Sequence, residues 1–162
     1  MSDKSNNDFW KIIQAQIQVF NLERESELLT DLLKSLDELE DGGGHNFEPP
    51  FPTAHRQGVL NVLLRRFEDV INIIDDSQDA IVSPCKSILF VRNSEKASYS
   101  KQLATMKKVD EHVNYHCRGK TKIIIFYGTL NLYLWNQDRK RFINNLVILY
   151  PNYDYKQILN PY

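Results

Sequence analysis

Ile123-Ile124-Ile125-Phe126-Tyr127, closed by Gly128, is the most hydrophobic run in the chain, and the fold is read outward from it. A run of apolar and aromatic residues without polar alternation is expected of a strand covered on both faces. Upstream, a helical pattern extends from about Ser98 to Cys117, with Leu103, Met106, Val109, Val113 and Cys117 forming its apolar stripe. Gly119 stands where a C-terminal helix glycine belongs, and Arg118 suits the negative end of the helix dipole. Before the helix lies a shorter apolar run, Ser87-Ile88-Leu89-Phe90-Val91. Strand, helix and strand of this size predict a right-handed crossover between parallel strands.

Downstream, Leu130, Leu132 and Leu134 alternate with Asn131, Tyr133 and Trp135, the pattern of a strand with two distinct faces. Asn136-Gln137-Asp138-Arg139-Lys140 reads as a hairpin turn, and a returning strand is expected between Phe142 and Tyr150, stopped by Pro151. The tail, with Tyr153, Tyr155, Ile158 and Leu159, is read as a last short helix.

The region before this core is helical. Phe9, Ile13, Ile17 and Phe20 form one stripe behind Asp8 as a candidate N-cap. Leu28, Leu29, Leu32, Leu33, Leu36 and Leu39 form a second, and whether Asn21-Leu22 separates two helices is open. The leucines need a covering surface. Packing on the body of the domain is one answer; an interface with another protein or a second copy, through Leu29, Leu32, Leu33 and Leu36, is the other. Asp41-Gly42-Gly43-Gly44 stops the helix, and Pro49-Pro50-Phe51-Pro52 favours extended backbone. Thr53 then caps a helix from about Ala54 to Ile74 with an apolar face of Leu60, Leu63, Leu64, Phe67, Val70, Ile71 and Ile74. The expected fold is α/β or α+β: N-terminal helices packed on a small mixed sheet, built from the strand-helix-strand unit plus a C-terminal hairpin. Residues 1–48 form an acidic helical arm and 49–162 a basic core, together one folded unit.

A chain of 162 residues, 42% hydrophobic and 25% charged, has the composition of one ordinary globular domain. No apolar run approaches the roughly 20 residues of a membrane-spanning helix. The start, Met1-Ser2-Asp3-Lys4-Ser5, lacks the basic and apolar regions of a secretory signal. An intracellular location, cytoplasmic or nuclear, is therefore expected, with no membrane partner. The net charge of −1 conceals an asymmetry. Residues 1–48 hold four Lys/Arg against eleven Asp/Glu, and residues 49–162 hold sixteen against ten. Opposite charges on two segments suggest separate partners, or two halves that touch.

Catalytic signals are weak. His112 and His116 stand four apart beside Cys117, a spacing that can share a metal ion. However, Val113 rather than Glu follows the first histidine, so the metalloprotease pattern is missing. Cys85 and Cys117 read as free thiols, mostly buried; the topology can bring them near each other, but spacing does not supply the geometry of a bridge. Asp75-Asp76 and Asp110-Glu111 are adjacent pairs that diverge on a helix, not acid/base couples. The three glycines lack the Lys-Ser/Thr of a phosphate loop. No cofactor, resident metal or catalytic residue is assigned.

The usable signal is basic. Between Pro84 and Arg141 there are twelve Lys/Arg and four Asp/Glu. They concentrate around Arg118, Lys120 and Lys122 and around Arg139, Lys140 and Arg141, with Tyr133 and Trp135 close in sequence. Clustered cations neutralise phosphates, and exposed aromatics stack on unpaired bases. The contrary reading is a set of solvated loop ends that partly answers the acidic arm.

Ser100-Lys101-Gln102-Leu103, Ile123 to Gly128 and Leu132-Tyr133-Leu134-Trp135 together faintly resemble the N-terminal nuclease region of type I restriction subunits. That family carries Glu-x-Lys on its catalytic strand. Here Ile88 to Val91 runs instead into Arg92-Asn93-Ser94-Glu95-Lys96, so the metal-binding carboxylates are not in place. The leading expectation is a non-enzymatic interaction or regulatory subunit of a nucleic-acid-associated assembly, with DNA or RNA on the basic core. The alternative is a nuclease-like processing enzyme with a degenerate site.

Overall fold

The computed structural model describes residues 2–40, 58, 61–63, 65–75, 84–93, 97–128, 130–152 and 155–159. Its centre is a five-stranded mixed sheet in the order β1-β2-β3-β4-β5. The strands are β1 (Asn72–Asp75), β2 (Ile88–Asn93), β3 (Ile123–Gly128), β4 (Leu146–Asn152) and β5 (Tyr155–Leu159). The first four run parallel, and β5 turns back antiparallel along β4. Helix α3 (Tyr99–Glu111) and a π-helical turn (His112–His116) cross from β2 to β3. Helix α4 (Leu132–Asp138) and a 3-10 turn (Arg139–Phe142) cross from β3 to β4. Right-handed crossovers that step in one direction leave their helices on one face. The α1 (Ser2–Val19) and α2 (Ser26–Glu40) helices cover the other.

Alternate strand residues divide between two cores. Ile88, Phe90, Ile123, Ile125, Tyr127, Leu146, Ile148 and Tyr150 meet Phe9, Ile13 and Ile17 of α1 and Leu29, Leu32, Leu33 and Leu36 of α2. Their neighbours Leu89, Val91, Ile124, Phe126, Val147 and Leu149 meet Met106, Val109, Val113, Leu134, Trp135 and Phe142. Both faces of β2, β3 and β4 are therefore dry, which is why these strands show no polar alternation. The four α2 leucines are all 0% exposed, so they have no surface to offer a partner. The expected interface at Leu29, Leu32, Leu33 and Leu36 is thus corrected to intramolecular packing. Acidic and basic segments meet through this apolar layer, and Tyr150 Oη donates to the Asp37 carboxylate across it at 2.8 Å.

The break between the first two helices is a Schellman motif. Asn21 takes the left-handed conformation, φ 56°, which Asn tolerates better than most residues. Its N–H donates to the Gln18 carbonyl at 3.2 Å, and Leu22 N–H donates to the Ile17 carbonyl at 2.8 Å. Leu22 is buried where the motif expects its hydrophobic residue. Asp8 lies inside α1, not at its start.

Several expected elements take another form. Residues 61–63 and 65–67 are helical, but a turn at Glu68–Val70 ends the run. Val70 and Ile71 N–H both donate to the Phe67 carbonyl, and Asn72–Asp75 becomes an edge strand. The β-branched set Val70, Ile71, Ile73 and Ile74 favours that outcome. The stretch expected as a strand with a hairpin turn is helical, because Asn131 caps it. Asn131 Oδ1 accepts from Tyr133 N–H at 2.9 Å and Leu134 N–H at 3.4 Å. Strand β4 is consequently a parallel neighbour of β3, and the C-terminal antiparallel pair is β4 with β5. The tail forms that strand in place of a helix. The Gly- and Pro-rich linker at 41–52, the cap at Thr53 and the start of the helix that follows lie outside the described residues. Among the described residues, no helix is long and apolar enough to cross a membrane.

Candidate functional site at the N-terminal edge of the sheet

Both basic segments come to one edge. Arg118 to Lys122 lead directly into β3, and Arg139 to Arg141 precede β4, its parallel neighbour. Leu146 N–H donates to the Lys122 carbonyl at 3.0 Å, and Asn145 Nδ2 donates to the Thr121 carbonyl at 2.9 Å. The two lead-in segments are thereby stitched together. Lys122 and Ile123 N–H also donate to the Ser87 carbonyl at 2.8 and 3.1 Å, fixing the entry to β2 beside them. Asn72, fully buried at the start of β1, reaches the same edge. It donates to the Pro84 carbonyl at 2.9 Å and accepts from Lys86 N–H at 2.7 Å.

Arg118, Lys120, Lys122 and Lys140 are exposed and Arg139 is half-buried. Among the described residues, none of these five has a carboxylate within ion-pair distance. Arg141 differs: its guanidinium is paired with Asp110 of α3 and, at 3.6 Å, with Asp138. It therefore braces α3 against the 3-10 turn.

The aromatic residues named beside these loops do not join them. Trp135 is 3% exposed, edge-on to Phe126 at 6.1 Å and stacked with Phe142 at 5.9 Å. It is a core residue and cannot stack on a base. Tyr133 is exposed, but it opens α4, about 9 Å along the helix axis from Arg139. Tyr115, which no sequence signal marks, is 74% exposed on the π-helical turn that precedes Arg118. Nothing in its spacing marks it, because a π-helical turn has no apolar periodicity of its own.

That turn also changes the reading of the cysteines and histidines. Residues five apart lie about 140° apart around an α-helix, whereas the wider π-helical turn brings them nearer one face. Cys117 N–H donates to the His112 carbonyl at 2.8 Å, and Cys117 Sγ lies 3.9 Å from His112 Nδ1. Cys85 and Cys117 are joined in a disulfide, with Cα atoms 5.6 Å apart, so the expectation of two free thiols is corrected. The bridge ties the lead-in of β2 to the turn before β3. Gly119, at φ +78°, then reverses the chain with Lys120 N–H donating to the Cys117 carbonyl.

His112 and His116 part company. His116 is exposed and sits 3.0 Å from Glu111, while His112 is 4% exposed. Burial, and secondarily the charge of His116, hold the His112 imidazole below its ordinary value of 6.5. Unfolding restores the ordinary value, so below pH 6.5 the unfolded chain takes up a proton that the folded protein refuses. The contribution is complete above pH 6.5 and is lost as the pH falls below it. Urea midpoints of the oxidised protein from pH 7.5 to 5 should therefore fall more steeply for the wild type than for His112→Gln.

The opposite edge is where open parallel sheets usually hold ligands. There Arg92 pairs with Asp75 at 3.2 Å, both side chains largely buried. Gln102 donates to the Ala97 carbonyl at 3.1 Å and accepts from Asn131 N–H at 3.0 Å, which joins the starts of α3 and α4. Among the described residues, no group of three His, Cys, Asp or Glu could hold a metal ion. No family model, curated protein or solved structure matches the chain.

Proposed function

We propose that the chain is a non-enzymatic interaction module that binds nucleic acid, through phosphate contacts along the basic edge of its sheet. One observation carries the reading: two segments about twenty residues apart in sequence bring to one edge of the sheet five cations that have no carboxylate partner among the described residues. Such an array releases condensed counterions when it meets a phosphate backbone. Tyr115, exposed three residues before Arg118, offers a stacking surface that favours unpaired strands. The acidic helices α1 and α2 cover the face of the sheet opposite to α3 and α4.

Replacing Lys120, Lys122, Arg139 and Lys140 together by glutamine tests the proposal. All four side chains lie outside both buried clusters, so the variant should keep the wild-type urea midpoint. Fluorescence anisotropy with a labelled single-stranded oligonucleotide should show binding strongly weakened, with only the Arg118 contact left. Equal affinity in the wild type and the variant would overturn the reading, as would no binding by the wild type at low salt.

A further inference from the structure

We propose that the Cys85–Cys117 bridge, with His112 beside it, is a thiol–disulfide exchange centre that accepts two electrons from a dithiol. The inference is independent of nucleic-acid binding.

The two sulfurs are not equivalent. Cys117 is 3% exposed, whereas Cys85 is half-buried in the lead-in of β2, so an incoming thiolate reaches Cys85 first. Attack there makes Cys117 the leaving group, and Cys117 Sγ is the atom beside His112 Nδ1. A neutral imidazole protonated at Nδ1 can donate to the departing thiolate. Its Nε2, buried and without a hydrogen-bond partner among the described residues, makes no competing demand on the tautomer. Lys86 and Arg118 flank the two cysteines in sequence, and neighbouring cations favour thiolates.

The steps balance. One thiolate of the dithiol bonds to Cys85 Sγ as the bridge breaks, and the bridge electron pair leaves on Cys117 Sγ. The second thiol, deprotonated, attacks the dithiol sulfur of the mixed disulfide and expels Cys85 as a thiolate. The dithiol ends as its own disulfide, and its two protons end on the two cysteines. Reoxidation runs the same path in reverse.

The fold does not depend on the bridge to hold its two ends. Ser87 remains bonded to Lys122 and Ile123, Asn72 holds Pro84 and Lys86, and the Cys117 carbonyl accepts from Lys120 and Thr121. A bridge that is partly exposed and whose ends are independently anchored can open without unfolding the protein. Bridges outside oxidising compartments are commonly of this catalytic or sensing kind, whereas those inside them are staples.

The test uses the full chain and dithiothreitol. Thiols are trapped by alkylation and located by mass spectrometry, with circular dichroism recorded on the same samples. Reduction should reach completion with the native spectrum retained, at a rate unaffected by urea below the unfolding transition. Reduction that appears only as the protein unfolds would make the bridge a staple and overturn the proposal. With oxidised glutathione, the reduced protein should carry its adduct on Cys85 at least tenfold over Cys117; the reverse preference would overturn the assignment of the attacked sulfur. His112→Gln should slow exchange by roughly three- to tenfold, through a poorer leaving thiolate, and alter its pH profile. His112→Asn serves if the first variant does not fold. An unchanged rate and profile in a folded variant would remove His112 from the centre.

Discussion

Leu33→Ala should lower the stability of the protein by about 2–5 kcal/mol while leaving its sedimentation unchanged. Leu33 is wholly enclosed where α2 lies on the sheet, in the cluster that includes Phe90, Ile125 and Ile148. Removing its isopropyl end leaves a cavity between two elements whose backbones are fixed by other contacts, so collapse is incomplete. The same residue in an assembly seam would behave differently: truncation would shift the monomer–oligomer balance and cost the monomer little. Urea denaturation paired with sedimentation velocity separates the two. An unchanged midpoint with a changed sedimentation coefficient would return the leucines to an interface.

Trp135→Ala has an expected cost of about 3–5 kcal/mol, the range for emptying a buried aromatic site. The indole fills the space between Phe126 of β3 and Phe142 of the 3-10 turn. At a temperature where the variant is still folded, its affinity for a single strand should match that of the wild type. Tyr115→Ala should show the opposite pattern: an unchanged urea midpoint and about 1–3 kcal/mol less binding, the usual worth of one stacked base. Were Trp135→Ala to lose affinity with no loss of stability, the indole would have to be a surface residue.

The parts of the fold that could be read from sequence are those where burial dictates composition. Strands β2 and β3 are covered on both faces and so appear as unbroken apolar runs; α2 and α3 are covered on one and show helical spacing. Reading failed where two periodicities coincide over a few residues. Leu132 and Leu134 fit a strand as well as a helix, and the decisive feature is Asn131, whose side-chain oxygen caps the first turn. Strand β1 was hidden because Ile71 and Ile74 prolong the apolar stripe of the helix before it. In the candidate site, charge density marked two segments that the fold brings to one edge, but exposure is a property of packing: Trp135 is buried, and Tyr115, which is exposed, carries no signal in the sequence. The bridge was also out of reach, since its geometry depends on a π-helical turn that pulls Cys117 back over His112.

Cations of the sheet's N-terminal edge that act as one phosphate-binding array, as proposed, would leave a direct thermodynamic signature. The affinity of the full chain for a single-stranded oligonucleotide should be measured across a series of salt concentrations. Neutralisation of phosphates by Arg118, Lys120, Lys122, Arg139 and Lys140 gives an expected slope of log K against log salt of about −3.5, at roughly 0.7 per contact. The variant with four glutamines should retain a slope of about −0.7. A wild-type slope near zero, or one that the four substitutions leave unchanged, would contradict the account.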